Sequence, residues 1–160
     1  MKDIERIIAN HPFFADMDPN YIPVLATGAK EDEFDTNELL FREGEPANQF
    51  YLILSGRVAL ETHEPMNGTF PVEEIGAEDV VGWSWLFPPF VWHLQARAME
   101  TTSAVILDGG HLLIQAEHDH QFGYELMKRI VQLAVRRLRA IRNRLLEHVK
   151  TAEADTAKSP

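Results

Sequence analysis

Residues 30–64, KEDEFDTNELLFREGEPANQFYLILSGRVALETHE, decide how the chain is read. They fall into short runs rich in aromatic and β-branched residues, each closed by a turn signal. Phe34, Leu40, Phe41, Tyr51, Ile53, Val58 and Leu60 take the inward or paired positions of those runs. Gly44 and Gly56 stand where the chain turns. A little further on, Asn67-Gly68 within HEPMNGTF is a two-residue hairpin signal. Strands recurring roughly every 8–12 residues point to an antiparallel sandwich or jelly roll.

On the N-terminal side, Ile4, Ile7 and Ile8 sit at helical spacing behind Asp3, and Pro12 ends that helix ahead of an apolar Phe13-Phe14 plug. A second short helix is expected over Asn20–Ala26, closed by Gly28. On the C-terminal side, residues 75–98, IGAEDVVGWSWLFPPFVWHLQARA, hold all three tryptophans. This stretch lays out a strand, a glycine turn at Gly82, a short helical turn ended by Pro88-Pro89, and another strand. Backbone N–H groups in such a turn can hold a small anion. METTSAVILDG reads as a further strand with Ala104 and Ile106 on one face. Gly109-Gly110 then lead into a short helix, and Asp119 is placed to cap a last helix over about Gln121–Val149.

Composition narrows the function classes. One hundred and sixty residues, 45% of them apolar, suit one core. No cysteine is present, which excludes disulfides, thiol nucleophiles and thiolate-bound zinc or iron–sulfur clusters. No apolar run reaches the roughly 18–20 residues of a membrane span, and no secretory leader stands at the start, so a cytoplasmic protein is expected. Charge is uneven: residues 1–120 carry 21 acidic and 6 basic side chains, residues 121–160 carry 4 and 9. An acidic body argues against direct nucleic-acid binding, and the basic helix reads first as a solvated face.

The string LLFREGEPANQFYLILSGRVAL, residues 39–60, followed by the 75–98 stretch, resembles the cyclic-nucleotide-binding domain family, the effector domain of catabolite-activator-type (Crp/Fnr) regulators. The shared frame is an apolar pair, Leu40-Phe41, a Gly44-Glu45 turn, an aromatic-rich strand ending in Ser55-Gly56, and a Val58 strand. The resemblance covers about residues 5–150. It implies a mainly β protein with flanking α: a double-stranded antiparallel β-helix, or jelly roll, with N-terminal helices and a long C-terminal dimerisation helix. The expected organisation is one domain over 1–150, comprising N-terminal helices 1–29, jelly roll 30–108 and C-terminal helices 109–150, with a disordered tail over 151–160.

The resemblance also implies a phosphate-binding cassette at 75–98, and here the sequence departs from the family. The family places a Glu just after the cassette glycine to take the ribose 2′-hydroxyl. About nine residues on, an Arg pairs with the cyclic phosphate and a Ser or Thr follows. The frame keeps Gly82, but Trp83 falls at the Glu position, Trp92 at the Arg position and His93 at the Ser/Thr position. Trp92, Leu94, Ala96 and Ala98 alternate onto the inward face, so Arg97 points away. Losing the cation forfeits a charge-assisted hydrogen bond worth roughly 1.5–3 kcal/mol and leaves a buried anion uncompensated at roughly 3–5 kcal/mol. About 3–5 kcal/mol in total weakens binding by roughly 10²–10⁴-fold. The expected ligand set of the diverged cassette is Gly82, Trp83, Ser84, Trp85, Trp92 and His93. It takes no cyclic AMP or cyclic GMP and no cofactor. It is either a filled, silent pocket or an aromatic-lined site for another small molecule.

The last helix carries a seam of Met127, Val131, Ala134, Leu138, Ile141 and Leu145 at alternating steps of four and three. A second stripe of Leu126, Ile130 and Leu133 lies beside it. The resemblance implies that the seam pairs two subunits. After this helix the family places a helix-turn-helix DNA reader; this sequence has only TAEADTAKSP. His118 and His120 flank Asp119 at a helix junction where the rings would diverge, so no metal site is expected. No nucleophile motif, P-loop or dinucleotide fingerprint occurs, so no catalytic residue is assigned. The sequence therefore describes a homodimeric regulatory sensor-like module, with a possible protein partner and no membrane contact. The alternatives are a ligand-free scaffold on the same fold, or a transcription regulator acting through a partner.

Overall fold

The computed structural model describes residues 3–158. Helix α1 (Asp3–Asn10) is followed by two single 3-10 turns, Pro12–Phe14 and Pro19–Tyr21, and by α2 (Ile22–Ala26). Eight strands come next: β1 (Lys30–Phe34), β2 (Leu39–Phe41), β3 (Gln49–Ser55), β4 (Arg57–Glu64), β5 (Gly68–Gly76), β6 (Val80–Val81), β7 (Gln95–Ala98) and β8 (Thr102–Asp108). Helices α3 (Gly109–His118) and α4 (His120–Lys158) close the chain. The strands form two antiparallel four-stranded sheets, ordered β1-β8-β3-β6 and β2-β7-β4-β5. This is the expected jelly roll.

Strand β3 is the centre of the core. In its run FYLIL, Phe50, Tyr51, Leu52 and Ile53 are all buried, so both faces of the strand are covered and the apolar pattern is continuous rather than alternating. Alternate side chains still point to opposite faces. Tyr51 looks into the roll toward Phe34 and Phe41, at centroid distances of 6.3 and 5.6 Å. Phe50 looks outward to Phe13, 5.5 Å away, in the turn after α1. The seven inward positions expected from sequence are all buried.

Two expectations need correction. The β4–β5 hairpin does not turn on Asn67-Gly68 alone. Glu64 pairs with Gly68, Pro65, Met66 and Asn67 make the connection, and the Asn67 N–H donates to the Glu64 carbonyl at 3.2 Å. Proline's fixed φ favours Pro65 as the leading residue of an ordinary turn, which moves the turn back along the chain. The last helix runs on to Lys158, through eight residues expected to be a disordered tail. Thr151–Lys158 contains three alanines with Glu153 and Lys158, all strong helix formers, and no glycine or proline interrupts it. Residues 1–2 and 159–160 of the expected segments lie outside the described residues.

The chain divides into two compact units, with the division at Leu126/Met127. The start of α4 follows the sequence: the Asp119 carboxylate accepts from the N–H groups of Gln121 and Phe122, at 3.1 Å each. In the second unit the seam residues Met127, Val131, Leu138 and Leu145 are exposed, Ala134 and Ile141 are half-buried, and Ile130 and Leu133 of the other stripe are buried.

Candidate functional site

The interior of the roll is where a ligand of this frame would lie, and its wall is aromatic. Phe41 at the end of β2 and Tyr51 on β3 face it, with Ala96 and Ala98 from β7 fully buried beside them. The Tyr51 hydroxyl lies 3.0 Å from the Leu40 carbonyl and 2.7 Å from Gln49 Oε1, so its polar end is satisfied by the protein. Burial, with the Asp32 carboxylate adding to it, pushes the Tyr51 phenol well above its ordinary pKa and keeps it neutral.

Trp92 fills the space in front of this wall. Its indole stacks on Phe41 with centroids 3.8 Å apart and planes 16° from parallel, and Tyr51 stands 6.5 Å away. Only 4% of the residue is exposed. Residues 92–94 are not in strand, so the alternation expected from Trp92 to Ala98 is a true β pattern only from Gln95 on, and Leu94 is half-buried. Trp92 is fixed instead by pairing with the turn after β2. Its N–H donates to the Glu45 carbonyl at 3.0 Å, and its own carbonyl accepts from Gly44 N–H at 2.8 Å. Gly82 makes the packing possible. It has φ of +89°, and a β-carbon there would come within 2.9 Å of the Trp92 six-membered ring.

The other expected site residues do not gather around Trp92. Trp85 sits in the single 3-10 turn Ser84–Leu86 and is buried on the far side of β3. Its Nε1–H donates to the Gly82 carbonyl at 2.8 Å, its ring lies 5.6 Å from Phe50, and a β-carbon on Gly109 would come within 2.5 Å of its indole. The sequence placed it in the ligand set of the cassette. The tight turn after Gly82 instead sends it to the outer face, where Gly109 at the start of α3 leaves room. Ser84 is buried, Trp83 is half-buried and His93 is exposed. The segment after Gly82 is a single three-residue 3-10 turn, Ser84–Leu86, and not a longer helix. Arg97 points away from the roll, its Nε 2.8 Å from Glu61 Oε1, with Gln95 Nε2 on the same oxygen at 3.2 Å.

Between the two buried indoles the chain carries an exposed apolar tip. Phe87 and Phe90 are 44% and 40% exposed, with Pro88 and Pro89 between them, and the Phe90 N–H closes the tip on the Phe87 carbonyl at 3.1 Å. The Ala47 N–H also donates to the Phe90 carbonyl at 2.7 Å. The role of Phe41 as the stacking platform was not read from the sequence; its inward position was the signal. Among the described residues no group of three or more His, Asp or Glu side chains could hold a metal ion.

Comparison with known proteins bears on this geometry. The profile of the cyclic nucleotide-binding domain matches residues 31–119. A CRP-like cAMP-activated global transcriptional regulator of Mycobacterium tuberculosis is 24% identical over 148 residues, 92% of this chain; the chain spans 64% of that regulator's length. A solved structure described as a cyclic nucleotide-binding protein of Geobacter metallireducens superposes with a TM-score of 0.76 at 25% identity, covering 86% of this chain and 99% of that one. A cyclic nucleotide-binding domain from Methylobacillus flagellatus has a TM-score of 0.74 at 21% identity, covering 91% of this chain and 82% of that one.

Proposed function

The chain belongs to the cyclic nucleotide-binding domain family, and we propose that it is a regulatory effector module whose nucleotide position is occupied by its own Trp92. One observation carries this reading. The residue at the family's phosphate-binding Arg position is an indole stacked on Phe41 at 3.8 Å and almost wholly buried. A cyclic nucleotide would have to displace that stack and then bury its phosphate where Trp92 stands in place of the family's Arg and where Arg97 is turned outward onto Glu61. Removing a paired cation costs about 3–5 kcal/mol, or roughly 10²–10⁴-fold in affinity before the displacement of Trp92 is counted.

The module therefore takes its input from something other than cyclic AMP or cyclic GMP, and it acts by binding rather than catalysis. We place the pairing of two copies on the exposed α4 seam of Met127, Val131, Leu138 and Leu145. Sedimentation equilibrium should report a dimer, and Leu138→Asp should shift it to monomer; a wild-type monomer at micromolar concentration contradicts this. Among the described residues no helix is long and apolar enough to cross a membrane.

A second reading, an interaction subunit that responds to no small molecule, is favoured by the exposed Phe87–Phe90 tip. Contiguous exposed apolar surface marks sites of protein contact. Calorimetric titration with cyclic AMP and cyclic GMP tests the main proposal. No heat of binding up to millimolar nucleotide is expected; saturable binding in the micromolar range overturns it.

A further inference from the structure

His11 lies outside the cassette, at the joint between the N-terminal segment and the barrel. It caps the 3-10 turn Pro12–Phe14: Nδ1 accepts the Phe13 N–H at 3.2 Å. Its other nitrogen, Nε2, lies 3.3 Å from the Ile53 carbonyl at the end of β3. An imidazole nitrogen that accepts carries no proton, so the ring is the neutral Nε2–H tautomer and donates to Ile53. The residue is 4% exposed, and both of its nitrogens are engaged. The same Ile53 carbonyl accepts from Glu78 N–H at 3.0 Å, so three segments meet at one oxygen.

We propose that His11 is a proton-operated latch: neutral, it ties the turn after α1 to the end of β3, and protonated, it releases that turn. A second proton on Nδ1 would set N–H against the Phe13 N–H and abolish the cap. The charged groups that face the ring are Glu78 and Asp79, on the segment between β5 and β6. From α1 the neighbours are Ile7 and Asn10, and from β3 Ile53 and Leu54, none of them charged. A cavity of about 270 Å³ opens beside the ring, with Asn10 and Glu78 on its wall. A protonated imidazole can leave its two present partners and turn toward the Glu78 carboxylate there.

Burial holds the His11 pKa below its ordinary 6.5, while the Ile53 carbonyl and the Asp79 and Glu78 charges pull it back up without prevailing. A base whose pKa is lowered by folding loses stability as pH falls. The latch is fully engaged above the unfolded value of 6.5 and is progressively lost as pH drops below it toward the folded pKa. What it releases is the turn bearing Phe13 and Phe14, whose rings pack on each other at 4.9 Å and, through Phe13, on Phe50 at 5.5 Å.

Ring-nitrogen NMR on the full chain, with amide protection followed in the same samples, tests this. At neutral pH the His11 signals should be those of the Nε2–H tautomer, and they should titrate below 6.5. Over that range, protection at Phe14 and Ala15, whose N–H groups close the turn onto His11 and Pro12, should fall by up to about tenfold per pH unit. Protection in β8 should stay constant. His11→Asn keeps an acceptor for the Phe13 N–H but cannot titrate, so its turn should be pH-independent. Titration at or above 6.5, protonation of His11 with the turn still protected, or a pH response that survives in His11→Asn would each overturn the latch. If the Asn variant does not fold, the wild-type tautomer and the wild-type protection profile decide alone.

Discussion

Two aromatic clusters share strand β3 and sit back to back across it. On the inner face, Phe34, Phe41, Tyr51 and Trp92 fill the roll. On the outer face, Phe13, Phe14, Phe50 and Trp85 fasten the N-terminal turn and the start of α3 to the sheet. The two tryptophans are seven residues apart in sequence and equally buried, at 2% and 4% exposure, yet they do different work. Trp85 does structural work that any α/β packing face requires. On the proposed reading, Trp92 occupies a place that the frame of the family leaves for a ligand. Burial alone therefore does not distinguish a core residue from a plug; the position in the frame does.

The sharpest way to separate the two clusters is to truncate each in turn. Trp85→Ala and Trp92→Ala should each cost about 3–5 kcal/mol in chemical denaturation. Both truncations leave a buried cavity, but only the inner one is walled by a ring that the lost indole stacked on, Phe41, so indole should raise the melting temperature of Trp92→Ala and leave Trp85→Ala unchanged. Indole rescue of both variants, or of neither, would break the distinction.

Restoring the family's charges is the next largest effect. Trp83→Glu combined with Trp92→Arg should bring cyclic AMP affinity about 10²–10⁴-fold above that of the unmodified chain, measured by calorimetry. A combined variant that folds but still binds nothing would mean that the wall itself, and not the missing cation, excludes the nucleotide.

Smaller effects probe the supports of the plug. Gly82→Ala forces a β-carbon into the indole at a φ of +89° and should destabilise by about 1–3 kcal/mol. Adding Trp92→Ala should recover part of that loss, and simple additivity would show that Gly82 does not touch the indole in solution. Arg97→Met is expected to matter least. The Arg97–Glu61 pair is on the outward face, with the Arg and Glu side chains 34% and 13% exposed, and Gln95 stays on the carboxylate, so the loss should be about 1 kcal/mol. A loss above that, or any change in ligand behaviour, would bring Arg97 back as a cassette residue.

Most of the roll was legible in the sequence because strand patterns and turn residues are local. Leu40, Phe41, Tyr51, Ile53 and Val58 declare their positions by alternation and by the turns beside them. Asp119 declares a helix start by its type. The proposed substitution of Trp92 for a cation is also a reading of the sequence, since it needs only the frame. Three things were not legible. The destination of Trp85 depends on the space over Gly109, twenty-four residues away in sequence. The stacking of Trp92 on Phe41 is set by pairing between residues 90–92 and 44–47, which leaves no periodic signature. The continuation of α4 to Lys158 rests on alanine propensity in a polar stretch, where charge and Ser/Thr content read equally well as disorder.

The central claim is that Trp92 closes the nucleotide position. Fluorine NMR of the chain labelled with 5-fluorotryptophan tests it most directly, because the three indoles give separate signals that single Trp→Phe variants assign. The Trp92 signal should show no solvent isotope shift, and it should not move when cyclic AMP or cyclic GMP is added to millimolar concentration. A solvent-exposed Trp92 signal, or one that moves saturably at micromolar nucleotide, would show that the site is open and that the family's ligand still reaches it.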